Sequence, residues 1–491
     1  MPRRLGWIVL LLLPGLAPGE AKLDRAACDA LVKDTLSRWG APGLAVALVR
    51  GDDTHLAGFG LRAQGKPERV TPDTVFALAS LTKAFTATAL GILVDEGKLD
   101  WDDPVRRRLD WFRLHDPLAD RDVTLRDLLC HRTGLGRHDL LWYRAGWSVE
   151  ESVRRMAHLE AAHAFRTRYE YNNLGYLAAG LVVHRTAGQP WNDYVQHRLL
   201  DPLGMKTAVF TDAEARARPD HATPHQRDAE GNLVPIAWYP DAKQIRAAGS
   251  LKAGVRDLVP WMRLHLNQGR HAGKSLISAE SLAETHRAQI ILPLPSEARE
   301  RETTRHSYGL GWHLFDYRGA SLLEHGGAND GFRGRIVLVP AHKIGIALLT
   351  NCEDTEMLTA LGFRLVDELL GLPARDWVGR YHRLRKETPR PLPSRKLGTR
   401  PSLVLPGYAG VYRDPAYGDM IIAHRDGVLS LRWSSFQVEL GHYHFDTFLS
   451  KAPASSSARL NNELATFHLD DEANVASVTF LGRTFRPVLR R

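Results

Sequence analysis

The sequence predicts an α/β protein: one antiparallel sheet flanked by helices, with a helical region inserted between its first and last strands, then a small C-terminal β-barrel. Three observations carry this. Short aliphatic strand patterns lie near both ends of the first 370 residues, and the stretch between them is helical in pattern. Beyond residue 405 the chain breaks into a run of short strands. At 491 residues, with 44% apolar and 25% charged side chains, there is chain enough for one large unit and a smaller one.

Residues 1–19 read as a secretory signal: Arg3 and Arg4, an apolar run near Trp7–Leu13, then Ala17-Pro18-Gly19. Pro14 breaks that run well short of the ~20 residues a bilayer span takes, and no other segment is apolar enough to cross. The mature chain is therefore expected to be exported, periplasmic or extracellular, without a transmembrane span. Residues 22–372 form the main domain. It starts with a helix over about Ala26–Trp39 and a hairpin, Gly43–Val49 and His55–Gly60, around Arg50-Gly51-Asp52-Asp53. An apolar approach from Thr74 leads into an alanine-rich helix with Ser80 in its first turn, and helical patterns with long loops continue to about His265. Strands return at Leu322–Gly326, Gly334–Val339 and Ile344–Leu349, and a helix over Thr355–Leu370 closes the domain.

Residues 373–404 read as a basic, proline-containing linker and residues 405–491 as the barrel. The net charge of +9 resides almost wholly in that linker. Between Arg375 and Arg400, nine basic residues face only Asp376 and Glu387, while Arg3 and Arg4 account for the rest. So local an excess argues against nucleic acid as a partner and fits either a solvated linker or a contact with an anionic cell surface. Cys28, Cys130 and Cys352 allow at most one disulfide within the chain, and none has metal-site spacing. Twenty-two histidines, His442-x-His444 and His131/His138 among them, supply no ligand set with metal spacing, so no metal or other cofactor is expected. Oligomeric state is not encoded in any motif.

Three short motifs carry chemistry. Ser80 and Lys83 lie three apart on a helix, where side chains share a face at about 5–6 Å. A lysine desolvated enough to be neutral can take the serine proton, and the helix start offers free N–H groups to an acyl oxyanion. In Tyr169-Glu170-Tyr171-Asn172-Asn173, an extended backbone puts the Tyr171 phenol and the Asn173 amide on one side, for proton relay and for holding the lysine or a substrate carbonyl. Glu324-His325-Gly326-Gly327-Ala328 ends a strand with paired glycines, which let a ligand or another backbone come close.

In this order, Ser-x-x-Lys, Tyr-x-Asn and His-Gly-Gly resemble the serine β-lactamase and penicillin-binding superfamily, in its class C-like branch with D,D-peptidase and esterase relatives. Further matches run through Pro42–Val46, Gly97–Val105, Thr124–Leu135, Ala248–Leu251, Tyr308–Trp312 and Leu348–Asn351. The C-terminal part, with Tyr408–Tyr412 and Gly441–Phe448, resembles a lipocalin-like barrel. The resemblance implies that Ser80 is the acylated nucleophile and that Lys83 and Tyr171 share the proton transfers. It implies that Asn173 binds substrate or orients the lysine, and that the N–H groups of Ser80 and Ala328 form the oxyanion hole. With Gly326 and Gly327, His325 would line the substrate strand. It stands where relatives that hydrolyse β-lactams carry a lysine; an imidazole with an ordinary pKa near 6.5 is mostly neutral at pH 7 and would anchor a substrate carboxylate only as pH falls. The expected function is thus an exported serine hydrolase cleaving an amide or ester of a small-molecule or peptide substrate, a D-amino-acid peptide or ester ahead of a β-lactam. The alternatives are a class C-type β-lactamase and a non-catalytic penicillin-binding sensor.

Overall fold

A computed structural model describes residues 22–228, 231–240, 246–385, 394–451, 460 and 462–488. The expected signal, residues 1–19, lies outside them. The main domain is built on an eight-stranded sheet whose neighbours all run antiparallel. Helix α1 (Arg25–Trp39) precedes the hairpin β1 (Gly43–Arg50) and β2 (Asp53–Gly60). The other strands come late: β3 (Ile290–Ile291), β4 (His306–Tyr308), β5 (His313–Tyr317), β6 (Ala320–Asn329), β7 (Phe332–Val339) and β8 (Ile344–Thr350). The order is β2-β1-β8-β7-β6-β5-β4-β3. The register Leu44↔Thr350 to Arg50↔Ile344 therefore closes the domain by pairing its first strand with its last.

Both faces of β1 are covered, and its side chains divide with the two-residue strand period. Leu44, Val46 and Leu48 join a core with α1 and with α5 (Thr355–Leu370). Ala45, Ala47 and Val49 join the core of the inserted helical region. That region contains α2 (Thr82–Asp95), α3 (Asn173–Ala187) and α4 (Val255–Leu266). Every residue of α2 from Thr82 to Leu93 is buried, as its alanine-rich, all-round apolar sequence requires. Phe85 of α2 stacks on Trp261 of α4, with ring centroids 3.6 Å apart. Cys28, Cys130 and Cys352 are all buried free thiols.

The expected linker needs correction. Trp377–Arg385 forms a helix, α6, docked on the main domain: Trp377, Val378 and Tyr381 are buried, and the Trp377 indole donates to the Tyr317 hydroxyl at 2.8 Å. The basic side chains of α6 and of the residues just before it are largely spent on acids of that domain, Arg375 on Glu302, Arg380 on Glu300 and Arg385 on Asp354. Reading the stretch by charge and proline overlooked the Trp377/Tyr381 pair, which is spaced i,i+4 and faces the core. Pro389–Pro393, the proline-rich part, lies outside the described residues.

The C-terminal strands close into a barrel: β9 (Gly410–Asp414), β10 (Gly418–Arg425), β11 (Val428–Trp433), β12 (Phe436–His444), β13 (Thr447–Lys451), β14 (Leu464–Leu469), β15 (Val475–Phe480) and β16 (Arg483–Pro487). Its interior is occupied by Tyr412, Met420, Trp433, Phe448, Phe467 and Phe480, all buried. One end docks on the main domain. Arg155 donates to Ala416 O at 2.8 Å, Ser435 Oγ to Arg144 O at 2.5 Å, and the His138 ring meets the Tyr417 hydroxyl at 3.0 Å. Phe436 stacks on Tyr143 with centroids 6.2 Å apart.

Candidate active site

Ser80 lies in a single 3₁₀ turn, Ala79–Leu81, that leads directly into α2, a small departure from the expected first turn of the α-helix. Ala79 adopts φ +48°, a left-handed conformation that costs a β-carbon residue on the order of 1 kcal/mol and turns the Ser80 side chain out of the buried helix. Behind the turn passes β6. A β-carbon on Gly327 would lie 2.2 Å from Leu78 O, so only glycine lets that strand come this close to the serine.

The three sequence motifs converge here. Lys83 Nζ lies 3.0 Å from Ser80 Oγ and donates to Asn173 Oδ1 and Ala248 O, each at 2.7 Å. Tyr171 donates from its hydroxyl to the same Ser80 oxygen at 2.6 Å. The N-cap Asn172 is extended, but Asn173 is already the first residue of α3; helix entry, not a shared strand face, aims the amide at the lysine. Lys83 is fully buried, and desolvation holds its pKa well below the ordinary lysine value, only partly countered by the Asp139 carboxylate. A lysine so depressed can accept a proton. Burial pushes the Tyr171 phenol upward, with its hydrogen bond to Ser80 in opposition, so it remains a proton donor at neutral pH.

Around these groups lies a cleft of about 380 Å³, lined by Ser80, Tyr171, Asn173, His325, Gly326, Gly327 and Ala328. All the residues singled out from the sequence thus face one space, except Lys83, which lies beneath Ser80. His325 corrects the sequence reading. It is buried, its Nδ1–H donates to Gly326 O at 2.6 Å, and its Nε2 accepts from the Tyr308 hydroxyl at 3.0 Å. Desolvation, aided by the nearby Lys83, lowers its pKa to about 3. It stays neutral through the whole range in which an ordinary imidazole would titrate.

The sequence motifs missed the cleft wall formed by Arg137 and Asp139. Asp139 accepts from Asn173 Nδ2 at 2.9 Å and Trp142 Nε1 at 3.1 Å, and pairs with Arg137. The Arg137 guanidinium lies 5.1 Å from the Tyr171 ring centroid. The signal was present as Gly136-Arg137-His138-Asp139, charged residues directly after the Thr124–Leu135 segment. His131 supports the other side of Tyr171: the rings are 4.5 Å apart, and its Nδ1 accepts from Asn172 N at 3.1 Å.

A buried lysine and a phenol converging on a serine, at the start of a central helix and beside an antiparallel strand, define a serine hydrolase of the acyl-transfer kind. The chain belongs to the beta-lactamase family, whose model matches residues 28–370. Residues 394–487 match a domain of unknown function, DUF3471. The chain is 30% identical over 446 residues to the unguisins hydrolase of Aspergillus violaceofuscus, covering 81% of this chain and 76% of that protein. It is 29% identical over 336 residues to penicillin-binding protein 4 of Amycolatopsis lactamdurans, covering 67% of this chain and 86% of that one. Among solved structures, the octameric penicillin-binding protein homologue of Pyrococcus abyssi superposes with a TM-score of 0.65 at 23% identity, over 94% of this chain and 99% of that one. A D-stereospecific amidohydrolase from Streptomyces superposes at 0.57 and 22% identity, over 72% of this chain and all of that one. Among the described residues no helix is long and apolar enough to cross a membrane.

Proposed function

We propose that this protein is an exported hydrolase that cleaves an amide or ester, a D-amino-acid peptide or ester in preference to a β-lactam, through an acyl-enzyme on Ser80. The observation that carries this reading is the Ser80 oxygen held between Lys83 and Tyr171 at 3.0 and 2.6 Å. As Ser80 Oγ attacks the substrate carbonyl, its proton passes to the neutral Lys83 amine. The oxyanion is held by the N–H groups of Ser80 and Ala328. Tyr171 delivers its proton to the leaving nitrogen or oxygen and recovers one from the Lys83 ammonium. Water then attacks the ester, loses its proton to the same pair, and restores the Ser80 hydroxyl. Asn173, fixed by Asp139, keeps Lys83 in place and borders the substrate amide.

The substrate class is supported by the neutral His325 where relatives that hydrolyse β-lactams carry a lysine, and by similar structures named a D-stereospecific amidohydrolase and a D-amino acid amidase. Export rests on the residue 1–19 pattern and is checked by the N-terminal sequence of protein recovered outside the cytoplasm. The catalytic reading is tested with a fluorophosphonate probe and a panel of p-nitrophenyl esters, D-amino-acid amides, D-Ala-D-Ala peptides and a chromogenic cephalosporin. Ser80→Ala is expected to lose both labelling and turnover. Mass spectrometry placing the label on another residue of the wild-type protein would overturn it, and the cephalosporin as best substrate would replace the substrate class.

A further inference from the structure

His325, at the position the sequence associates with a substrate charge, provides none: it is neutral and engaged by the Tyr308 hydroxyl and Gly326 O. The cleft is nonetheless lined by three arginines, Arg137, Arg333 and Arg335. Of the arginines that line it, Arg335 is neutralised by Glu324. Arg333 has no ion pair among the described residues; it donates to Asn329 O and Phe332 O at 2.7 Å and to Thr355 Oγ1 at 2.8 Å. Three acids act on it electrostatically, Glu353, Asp330 and Glu356; of these Asp330 pairs with Arg144 and Glu353 accepts from the Gly331 N–H.

Arg137 is the arginine presented to a ligand. Asp139 holds it through Nε alone, and its Nη1 and Nη2 make no hydrogen bond with any described residue. The side chain keeps 59% of its exposure while lining the same cleft as Ser80. Its guanidinium lies beside the Tyr171 ring, and the Tyr171 hydroxyl is 2.6 Å from Ser80 Oγ, which puts the open fork one side chain from the nucleophile. Asp139 balances its charge but leaves the outer edge of the guanidinium open, because that carboxylate meets only Nε through Oδ2 and uses Oδ1 to accept from Asn173 and Trp142. A planar fork oriented through Nε, with its outer edge free, is the arrangement that receives a carboxylate with two parallel hydrogen bonds.

We propose that Arg137 is the anchor for a carboxylate carried by the substrate, so that the cation absent at position 325 is supplied by another residue lining the same cleft. This rests on the acyl-enzyme reading of Ser80. The carboxylate belongs either to the leaving group, as the free C-terminus of a D-peptide, or to the acyl part, as an acidic side chain or N-acyl cap.

Two matched substrate pairs separate these sources in the full-length protein. One is an N-acetyl peptide ending in D-Ala-D-Ala and its C-terminal amide; the other is N-succinyl- and N-acetyl-D-phenylalanine p-nitroanilide. Wild type is expected to favour the anionic member of one pair by about 10–100-fold in kcat/KM, the range for a charged hydrogen-bonded contact. That preference should shrink with rising ionic strength. Arg137→Gln should abolish it, and Arg137→Lys, a point charge without the fork, should keep part of it. Equal turnover of both members of both pairs by wild type overturns the proposal, as does an equal fall on both members in Arg137→Gln. The ionic-strength arm uses the unaltered protein and decides even if a variant misfolds. Failure of Ser80 labelling with no turnover of any substrate would instead remove the acyl-enzyme reading, and this proposal with it.

Discussion

Lys83→Met is the most informative perturbation of the site. Methionine has nearly the length of lysine and no donor, so it keeps the packing of α2 while removing three hydrogen bonds, to Ser80 Oγ, Asn173 Oδ1 and Ala248 O. The last two acceptors are left buried without that donor, at about 1–3 kcal/mol for such a group, and part of this is offset because a desolvated amine also disappears. The net loss of stability should be on the order of 1–3 kcal/mol, visible as a lower melting temperature with a single transition. Acylation should fall much further. General-base assistance contributes about 10²–10⁴-fold, which at 1.36 kcal/mol per decade is about 2.7–5.5 kcal/mol of transition-state stabilisation. The assay is the stopped-flow acylation rate with a p-nitrophenyl ester, together with Tyr171→Phe and the double variant. On the proposed mechanism both residues act on the one Ser80 proton, so the double variant should lose little more than the worse single. A loss under tenfold in folded Lys83→Met, or fully additive losses in the double variant, would refute a shared proton-transfer unit.

Three further outcomes follow from the same geometry. Six histidines, His131, His138, His265, His286, His313 and His325, are held neutral by burial, His138 and His286 at about 4 and His325 at about 3. The unfolded chain then binds more protons below pH ~6.5, so stability rises with pH up to that value and is lost below it, by up to about 1.4 kcal/mol per pH unit for each group; a melting temperature that is flat from pH 7 to 5 would contradict this. Gly327→Ala should push β6 away from the Ser80 turn, lowering acylation at least tenfold with a stability loss of about 1–3 kcal/mol; normal acylation by that variant would mean the strand is not held where it appears. Tyr417→Phe removes the barrel's hydrogen bond to His138, between Arg137 and Asp139, and should lower kcat on a small ester a few-fold with KM little changed; unchanged kcat would make the barrel a passive appendage, separable from the chemistry.

The fold was legible in the sequence to the extent that local pattern determines it. The continuous apolar run Gly43–Val49, the mostly aliphatic Ile344–Leu349 and the alanine-rich Thr82–Asp95 each specify an element, and strands at both ends of the domain require a sheet completed by its first and last segments. Thr355–Leu370 was readable to the residue, whereas Trp377–Arg385 was not, because its basic surface hides a two-residue apolar anchor.

The residue types for acyl transfer were also present in the sequence: a Ser-Lys pair at helical spacing, a phenol and an amide, and a glycine pair at a strand end. Only the tertiary structure decided their states. Whether Lys83 is neutral depends on Asn173, Ala248 and Asp139, which lie far along the chain and exclude water only when α2, α3 and the intervening loops pack together. The same burial fixes His325 as a neutral group spanning Tyr308 and Gly326, where the residue type alone suggested a switch near neutral pH. Arg137 is held by Asp139 against Tyr171, and the adjoining His138 meets Tyr417 of a barrel that begins more than 250 residues later. Sequence specifies which groups exist and their local spacing; pKa and orientation are set by desolvation and by partners brought together from afar, which local pattern does not contain.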